Sequence, residues 1–438
     1  MERYNEYKDS GVLWLGEIPS HWETRPLKYS CSLKGRIGWN GLRSEEFQDT
    51  AFAYLVTGQD FIGSEIDWSK CYQISRERYD EDPFIQLNNG DMLITKDGTI
   101  GKVAKVTNLD KPACLNSGIF VIKQKGSFFN QGFLYWMLCS NVLKEFNVYT
   151  QTGATIAHLY QNVFENMPCL LPPISEQQAI ATYLDTATAK IDEAISQQQK
   201  MIDLLNERKQ IIINNAVTKG LNPDAPMKDS GVDWIGEIPE HWEVMKTSHI
   251  FHHIGSGTTP KSGREDYYSE DGIPFLQTGD LNDGFINETS KHITEKALRD
   301  TNLKLYPKGS LVVAMYGATI GKLGILNIDT TVNQACCVLP TSDRVGNKFA
   351  MHVLSTAKAD LLLKSRGGGQ PNISQDTIRN VKIVVPPLAE QNEIVQYIEH
   401  SCTPIDGAIS NATKQISLLQ ERKQIIINDV VTGKVKVL

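Results

Sequence analysis

The chain has 438 residues, of which 41% are hydrophobic, so its length suggests about two to four domains with ordinary cores. Its net charge of −7 argues against a protein that coats nucleic acid through bulk positive charge. No apolar run is long enough to span a bilayer and the first ten residues lack the apolar core of a secretion signal, so a cytoplasmic protein is expected.

The first element along the chain is a segment that occurs twice. "KDSGVLWLGEIPSHWE" at 8–23 returns as "KDSGVDWIGEIPEHWE" at 228–243, agreeing at thirteen of sixteen positions. A second pair, "LLNERKQIIINNAVT" at 204–218 and "LLQERKQIIINDVVT" at 418–432, agrees at twelve of fifteen. The chain is therefore a tandem duplication. Because a short linker joins the first half directly to the second "KDSG" segment, the architecture is nearly circular, and we expect its two ends to lie close together.

A mixed region of short strands and helices follows each repeated segment. It opens with a window that holds no Asp or Glu, at 24–44 in the first half and 244–264 in the second. Two matched windows favour an anion-facing surface, although a solvated face that merely lacks acids is the alternative. Further along, "GDMLITKDGTIGKVAKV" and "KGSLVVAMYGATIGKLGIL" each predict a strand, a tight glycine turn and a second strand, with Lys102 and Lys322 just past the turn.

Each half closes with a predicted long amphipathic helix, which starts after "LLPPISEQQ" or "VVPPLAEQN". We expect a break near 186–189 and another at Thr403-Pro404, since proline cannot donate the helical hydrogen bond. Neither helix can bury its apolar stripe alone, so we predict that the two pair as an antiparallel coiled coil, related by a pseudo-two-fold axis. The heptad positions assigned to this coil are Ile191, Ala194, Met201, Leu205, Arg208, Ile212, Ile405, Ala408, Gln415, Leu419, Arg422 and Ile426.

The sequence carries no recognisable catalytic signature. "GATIGKL" at 317–323 resembles a phosphate-binding loop, but it has one residue too few before Gly-Lys and lacks the following Ser or Thr. The eight cysteines contain no CxxC pair, so neither a zinc site nor a redox motif is indicated. His21 and His241 have no ligand-spaced partner, and a structural role beside tryptophan is the simpler interpretation. We therefore expect a binding protein rather than an enzyme.

These features together resemble the specificity subunit of type I restriction-modification enzymes. The resemblance rests on the repeated "SGVLWLGEIPSHWE", on "GRIGWNGL", "GSGTTPKSG" and "IPFLQTGDL", and on the "DGTIGK" and "GATIGK" turns. It also rests on "PPISEQQAIATYLD" with "PPLAEQNEI" and on "ERKQIIINNAVTKG" with "ERKQIIINDVVTGK". It extends over the whole chain and both repeats.

The resemblance implies a mixed α+β fold, in which two α/β target recognition domains are separated by the helical repeats. The expected boundaries are 1–170 for the first recognition domain, 171–222 for the central spacer, 223–384 for the second recognition domain and 385–438 for the last spacer. Each recognition domain would read one half of a bipartite, asymmetric target in double-stranded DNA. The spacers would dock two methyltransferase subunits, with the heptad positions named above as the expected docking residues. The restriction and translocase subunits would join through the methyltransferases. The chain would bind no cofactor and no metal, since S-adenosylmethionine, ATP and Mg belong to its partners.

Contacts to DNA are expected from cations, polar turns and one tryptophan, with a surface position that contacts nothing as the alternative for each. The loops at 152–159 and 367–374 would border the groove. Two rival functions are a DNA-binding regulator that uses the coil only as a ruler, and a purely structural coiled-coil adaptor. The candidate DNA-binding residues are Lys34, Arg36, Trp39, Arg43, Lys96, Thr99, Lys102, Thr258, Lys261, Arg264, Tyr316, Thr319 and Lys322.

Overall fold

A computed structural model describes residues 2–36, 42–150, 158–261, 263–363 and 372–437. The chain divides into two units, and each long helix contributes part of its length to each unit. Unit 1 consists of Met1–Gln198 and Lys414–Leu438, and unit 2 consists of Gln199–Thr413. Within the described ranges, no helix is both long enough and apolar enough to cross a lipid bilayer.

The elements of the first half alternate between short strands and short helices before one long helix. The strands are β1 Tyr7–Asp9, β2 Glu17–Pro19, β3 Glu23–Pro26, β4 Cys31–Gly35, β5 Ala53–Val56, β6 Phe61–Ile62, β7 Glu65–Ile66, β8 Tyr72–Ile74, β9 Met92–Thr95, β10 Val103–Lys105, β11 Ala113–Leu115, β12 Ile119–Gln124 and β13 Pro168–Leu171. The helices are α1 Leu27–Ser30, α2 Arg76–Asp80, α3 Gln131–Cys139, α4 Asn141–Thr150, α5 Gln161–Phe164 and α6 Ile174–Lys219.

The second half follows the same plan. Its strands are β14 Met227–Asp229, β15 Glu237–Pro239, β16 Glu243–Lys246, β17 Gly255–Ser256, β18 Tyr268–Ser269, β19 Ile273–Leu276, β20 Gly284–Ile286, β21 Lys291–Ile293, β22 Leu311–Ala314, β23 Leu323–Leu326, β24 Thr331–Val332, β25 Cys336–Leu339 and β26 Lys382–Val385. Its helices are α7 Thr247–Ile250, α8 Glu295–Asp300, α9 Asn347–Thr356, α10 Lys358–Leu363, α11 Gln375–Asn380 and α12 Leu388–Val431.

Two main sheets in each unit have matching strand orders. Unit 1 holds the sheets β10-β9-β12-β4 and β11-β5-β8, and unit 2 holds β17-β25-β22-β23-β20 and β18-β21-β19-β24. In both, a glycine turn joins a pair of antiparallel strands, β9 with β10 and β22 with β23. These two hairpins confirm the strand-turn-strand prediction. The duplication read from the sequence is therefore also a duplication of topology.

The long helices pair antiparallel within each unit. In unit 1 the start of α6 shares a core with the end of α12, and Lys423 Nζ lies 2.7 Å from a carboxylate oxygen of Asp192. In unit 2 the end of α6 shares a core with the start of α12, and Lys209 Nζ lies 2.6 Å from Asp406 Oδ1. Both observations confirm the predicted antiparallel arrangement. Lys209 and Lys423 stand at the same position of the repeated helix, so the same contact is made twice.

Neither long helix is broken, contrary to the expectation of interruptions near 186–189 and at Pro404. The helix α6 runs without a break for 46 residues, and α12 runs for 44 residues with Pro404 inside it. Proline removes one intrahelical hydrogen bond, at a cost of about 3 kcal/mol. The buried side chains of Cys402 and Ile405 on either side of Pro404 hold the segment against its unit, and Thr403 Oγ1 donates to the Glu399 carbonyl at 2.6 Å. Tertiary packing therefore overrides the local penalty.

The buried stripe of the helices differs from the predicted heptads by one residue at several positions. Thr188 is 3% exposed and its hydroxyl donates to the Leu184 carbonyl at 2.7 Å, so a residue that looks polar in the sequence lies in the stripe. Lys209 and Lys423 also lie in it, half-buried, one position after the predicted Arg208 and Arg422. Ile191, Ala194, Leu205, Ile212, Ile405, Leu419 and Ile426 are buried or half-buried as assigned. The coiled-coil assignments to Met201, Arg208, Ala408, Gln415 and Arg422 are wrong, because these five side chains are exposed. Their expected part in partner docking stays a prediction.

The repeated "HWE" segments attach each hairpin to a long helix. Trp22 and Trp242 are fully buried, and the adjacent histidines pair with the first turns of α6 and α12, from His21 to Glu176 and from His241 to Glu390, at 2.9 Å each. These contacts match the structural role expected for the two histidines.

The two ends of the chain meet in unit 1, as the nearly circular architecture predicts. Glu2 forms a β-bridge with Lys436, and the Tyr7 hydroxyl donates to the Gly433 carbonyl at 3.0 Å. A β-carbon built on Gly433 would lie against Pro19 and Trp22, and one built on Gly220 in unit 2 would lie against Trp242 and Pro239. The end of α12 thus packs against the β1-β2 hairpin, and the end of α6 packs against the β14-β15 hairpin.

Candidate nucleic-acid interface

A cleft of about 520 Å³ opens in unit 1 where the parallel strands β5 and β11 end. The loop Thr57–Asp60 follows β5 and Asn116 follows β11, so both reach the same edge of their sheet. The glycine turn at 96–102, between β9 and β10, supplies another wall. The cleft is lined by, among others, Phe47, Gln59, Tyr72, Thr99, Lys102 and Asn116.

A buried carboxylate shapes the loop that follows β5. Asp60 is 5% exposed, and it accepts the Thr57 N–H at 2.7 Å and the Thr57 hydroxyl at 3.0 Å. In unit 2 the Asp280 carboxylate accepts the Gln277 N–H at 2.8 Å, three residues earlier as in unit 1. Because the two carboxylates accept equivalent backbone hydrogen bonds, the loop has the same construction in both units although its sequence differs.

The two glycine turns are closed by the same backbone hydrogen bonds. The Thr95 N–H donates to the Lys102 carbonyl at 3.0 Å, and the Ala314 N–H donates to the Lys322 carbonyl at 2.9 Å. Each turn holds two glycines with positive φ, 66° and 84° in unit 1 and 67° and 72° in unit 2, a conformation that other residues adopt at a cost. The turn in unit 2 is one residue longer. Both turns place a threonine and a lysine at their far end.

The first group of predicted DNA contacts is spread over several positions of unit 1. Thr99 and Lys102 are exposed and lie in the cleft. Lys34 is exposed with its ammonium over the Phe84 ring at 5.4 Å, and half-buried Lys96 lies over Phe120 at 5.0 Å. Trp39 and most of the 152–159 loop fall outside the described residues.

Arg43 lies at an exposed position beside the loop that precedes β5. Its backbone N–H donates to a Glu46 carboxylate oxygen at 2.7 Å, and this hydrogen bond lowers the pKa of Glu46. This hydrogen bond uses only the backbone of Arg43, and the side chain is exposed.

Arg36 is buried, which contradicts its prediction as a DNA contact. It is 2% exposed, its Nε donates to the Leu115 carbonyl at 3.0 Å, and its Nη2 lies 3.4 Å from the Cys114 sulfur. Burial raises the pKa of the Cys114 thiol to about 11, although the Arg36 charge opposes the shift. The basic window in the sequence shows that Arg36 is a cation, but it does not show whether the side chain points to the surface or into the core. Arg36 therefore supports the strand ends beneath the cleft from inside the domain.

The second group of predicted contacts is also dispersed, in unit 2. Thr258, Lys261 and Tyr316 are exposed, and Thr319 and Lys322 are half-buried at the glycine turn. The Thr319 hydroxyl donates to the Tyr316 carbonyl at 3.0 Å, so this turn is internally braced. Most of the 367–374 loop falls outside the described residues.

Arg264 is exposed, but its charge is already paired. Its Nε and Nη2 each donate to a carboxylate oxygen of Asp266 at 2.7 Å, and its guanidinium lies 4.5 Å from the centre of the Tyr267 ring. Lys296 approaches the same carboxylate at 2.6 Å. The hydrogen bond from Arg264 lowers the pKa of Asp266 well below its usual range, and the same bond raises the pKa of Arg264. A phosphate would have to displace Asp266 to use this cation.

Several lining residues of the cleft were missed in the sequence, among them Gln59, Tyr72 and Asn116. These three are uncharged, so a search for basic windows passed over them. The signal that could have identified two of these positions is the recurrence of "LVTGQD" as "LQTGD" and of "LNS" as "VNQ" in the other half. A glycine and an aspartate that recur at a strand end indicate a shaped loop.

Comparisons with known proteins agree on one family. A model of the type I restriction modification DNA specificity domain matches residues 42–202 and 239–414. The specificity subunit of the type I restriction enzyme MjaVIII from Methanocaldococcus jannaschii is 29% identical over 365 residues, covering 81% of each chain. The putative MjaX specificity subunit of the same organism is 27% identical over 439 residues, covering 97% of this chain and 96% of the relative.

The fold also has a counterpart among solved structures. A chain from a study of complex assembly and conformational transition in the type I restriction-modification system has a TM-score of 0.69 at 17% identity. That match covers 95% of this chain and 99% of the other. Since the two segments that match the family model make up most of this chain, the chain belongs to the type I restriction modification DNA specificity family.

Proposed function

We propose that this chain is the specificity subunit of a type I restriction-modification complex and reads a bipartite, asymmetric target in double-stranded DNA. Each recognition domain reads one half of the target, and the long helices set the spacing and dock two methyltransferase subunits. The functional division follows 1–170 and 223–384 as recognition domains and 171–222 and 385–438 as spacers. The restriction and translocase subunits join through the methyltransferases, and the complex acts in the cytoplasm.

The observation that carries this proposal is that the two units share one construction but differ in the side chains they present. The strand-end loop and the glycine turn are held by equivalent hydrogen bonds in both units. The exposed residues on them differ: Gln59 in unit 1 corresponds to Gly279 in unit 2, and Asp97 to Tyr316. A duplicated scaffold with unlike reading surfaces supports the reading of two unlike half-sequences.

The exposed faces of the long helices support docking of two copies of one partner. "ERKQIIIN" occurs in both helices, so a partner would meet the same side chains twice. Exposed apolar residues stand at matching positions, Leu204 at 62% with Leu418 at 54%, and Ile211 at 53% with Ile425 at 49%. Apolar side chains repeated on a helix surface in this way are typical of a helix-packing interface.

The chain acts by selection and its partners carry the chemistry. S-adenosylmethionine, ATP and Mg belong to the methyltransferase and restriction subunits in this proposal. Because the chain is acidic overall, it should bind DNA weakly alone and more tightly once methyltransferase subunits extend the positive surface around the duplex. An affinity of the isolated chain equal to that of the complex would contradict this.

The test is co-expression with a type I methyltransferase subunit, followed by purification and nuclease footprinting. We expect a stable complex that protects a defined sequence, and weaker protection by the chain alone under the same salt conditions. Sequence-selective protection by a chain that retains no methyltransferase would favour a self-contained DNA-binding regulator. Absence of any sequence-selective protection from the complex would favour a structural adaptor and overturn the proposal.

A further inference from the structure

We propose that Gln59 selects one base of the half-target read by unit 1, and that this base is an adenine. The inference rests on the proposed function, which it deepens by assigning a specificity-determining residue. It comes from comparing the two units position by position. Residues that read different sequences must differ between the units, whereas residues that hold the backbone of the duplex can stay the same.

Strand register fixes which positions of the two units correspond. Leu55 pairs with Tyr72 and Cys114 in unit 1, and Phe275 pairs with Lys291 and Thr331 in unit 2. The strands β5 and β19 are therefore equivalent. In the loops that follow these strands, Asp60 and Asp280 each accept the N–H of the residue three positions earlier, so the two carboxylates are equivalent. The residues just before them, Gln59 and Gly279, are therefore equivalent too.

Several polar residues of the cleft in unit 1 recur at equivalent positions of unit 2 and cannot discriminate. Thr99 corresponds to Thr319 and Lys102 to Lys322, because the same backbone bonds close both turns. Asn116 likewise corresponds to Asn333, since each donates its N–H to the last residue of the neighbouring strand, at 2.9 Å and 3.0 Å. These matched residues suit contacts to phosphates, which are the same in every sequence.

Gln59 differs from its counterpart and is free to bind. It is exposed at the cleft, and its side-chain amide has no hydrogen-bond partner among the residues that the structure describes, since only its backbone N–H is engaged, with Thr57 Oγ1. An amide carries a donor and an acceptor side by side, which match N7 and the N6 amino group of adenine in the major groove. Gly279 offers no side chain at all.

The wall beside Gln59 also differs between the units. Tyr72 lies against Phe47 with ring centroids 5.3 Å apart, and strand register places Lys291 where Tyr72 stands. An aromatic side chain in unit 1 and a cation at the equivalent position of unit 2 would give the two reading surfaces different preferences. The difference at Gln59 is therefore part of a reading surface that changes as a whole.

The test maps methylated DNA at base resolution for complexes reconstituted with a methyltransferase subunit. Gln59→Glu keeps the shape but leaves only acceptors, which match the amino group of cytosine. We expect this variant to exchange one adenine for cytosine in one half of the target and to leave the other half unchanged. Gln59→Ala should relax that same position, with a roughly ten-fold loss of discrimination, as one bidentate contact supplies about 1–3 kcal/mol.

Two further variants sharpen the result. Gly279→Gln should add an adenine preference to the other half, and the site can accept it because a β-carbon there has no heavy atom within 4 Å and the backbone φ is not positive. Lys102→Ala is the matched control, which should weaken methylation at every site without changing the DNA sequence that is methylated.

The outcomes separate this inference from the function on which it rests. A wild-type complex that methylates a bipartite sequence which Gln59→Glu does not alter overturns the inference alone. A wild-type complex that methylates no bipartite sequence overturns the proposed function and the inference with it.

Discussion

The Gly433→Ala substitution tests whether the end of α12 seats on the first hairpin. Gly433 has a φ of +74°, and a β-carbon there lies 2.5 Å from Cδ and 2.6 Å from Cγ of Pro19 and 3.1 Å from Trp22. The left-handed backbone costs alanine about 1–2 kcal/mol. Forcing a methyl group against a rigid ring and a buried indole adds about 1–3 kcal/mol. We expect unit 1 to lose roughly 2–5 kcal/mol of unfolding free energy.

Two matched glycines provide the controls. Gly16 has a φ of +72° with no heavy atom within 4 Å of the built β-carbon, so Gly16→Ala should cost only the backbone term of about 1–2 kcal/mol. Gly220 has a φ of +71° and its nearest such atom is 3.2 Å away in Trp242, so Gly220→Ala should lie between the other two.

The assay combines urea denaturation with hydrogen exchange. Exchange resolved along the chain is needed because a chain with two units does not unfold as a single step. We expect Gly433→Ala to speed exchange in the hairpin at 7–19 far more than at 227–239, and Gly220→Ala to do the reverse. If Gly433→Ala lowers the unfolding free energy no more than Gly16→Ala does, Gly433 does not pack against Pro19 and the reasoning is refuted.

Four other variants give distinct outcomes. Gly407→Ala should raise the unfolding free energy by about 0.5–1 kcal/mol, because Gly407 is a helical glycine with nothing near its β-carbon; a destabilised variant in thermal melts would contradict this. Lys102→Ala should reduce the slope of log affinity against log salt by about one, whereas Arg36→Met should leave that slope unchanged because Arg36 is buried; binding titrations at several salt concentrations check both. Leu204→Asp together with Leu418→Asp should abolish co-purification with the methyltransferase while circular dichroism stays unchanged, and retention of the partner would show that docking lies elsewhere.

Repetition made much of the fold predictable from the sequence. Two long helices with a repeated sequence that cannot bury their stripes alone imply a pair, and the pairing is antiparallel in each unit. The linker between the halves implied that the chain ends meet, and Glu2 and Lys436 do so. These predictions held because they follow from chain connectivity and from the burial of apolar surface, which do not depend on the exact position of any side chain.

Details that depend on tertiary contacts were not predictable. Pro404 lies inside a continuous helix because its neighbours are buried, which local propensity does not reveal. Thr188 occupies the buried stripe with its hydroxyl bonded to its own helix, which a polar residue type does not reveal. In each case a local rule was overridden by a contact distant in sequence or hidden in a side chain.

The candidate site was predictable only in part. Residues at the glycine turns, such as Lys102, were found because a lysine follows a repeated motif. Arg36 was misjudged because charge does not report burial, and Gln59 was missed because an uncharged side chain on a loop has no composition signal. Its correspondence to Gly279 became clear only when the strands of the two units could be matched.

The most direct test of the account is a chain in which residues 27–167 are replaced by a second copy of residues 247–381. Both junctions fall at matching elements, before α1 and α7 and before β13 and β26. With a methyltransferase subunit, the hybrid should methylate a target made of two copies of the half-sequence that unit 2 reads, as found by base-resolution mapping. A hybrid that folds, binds the methyltransferase and still methylates the original asymmetric target would contradict the claim that each domain reads its own half.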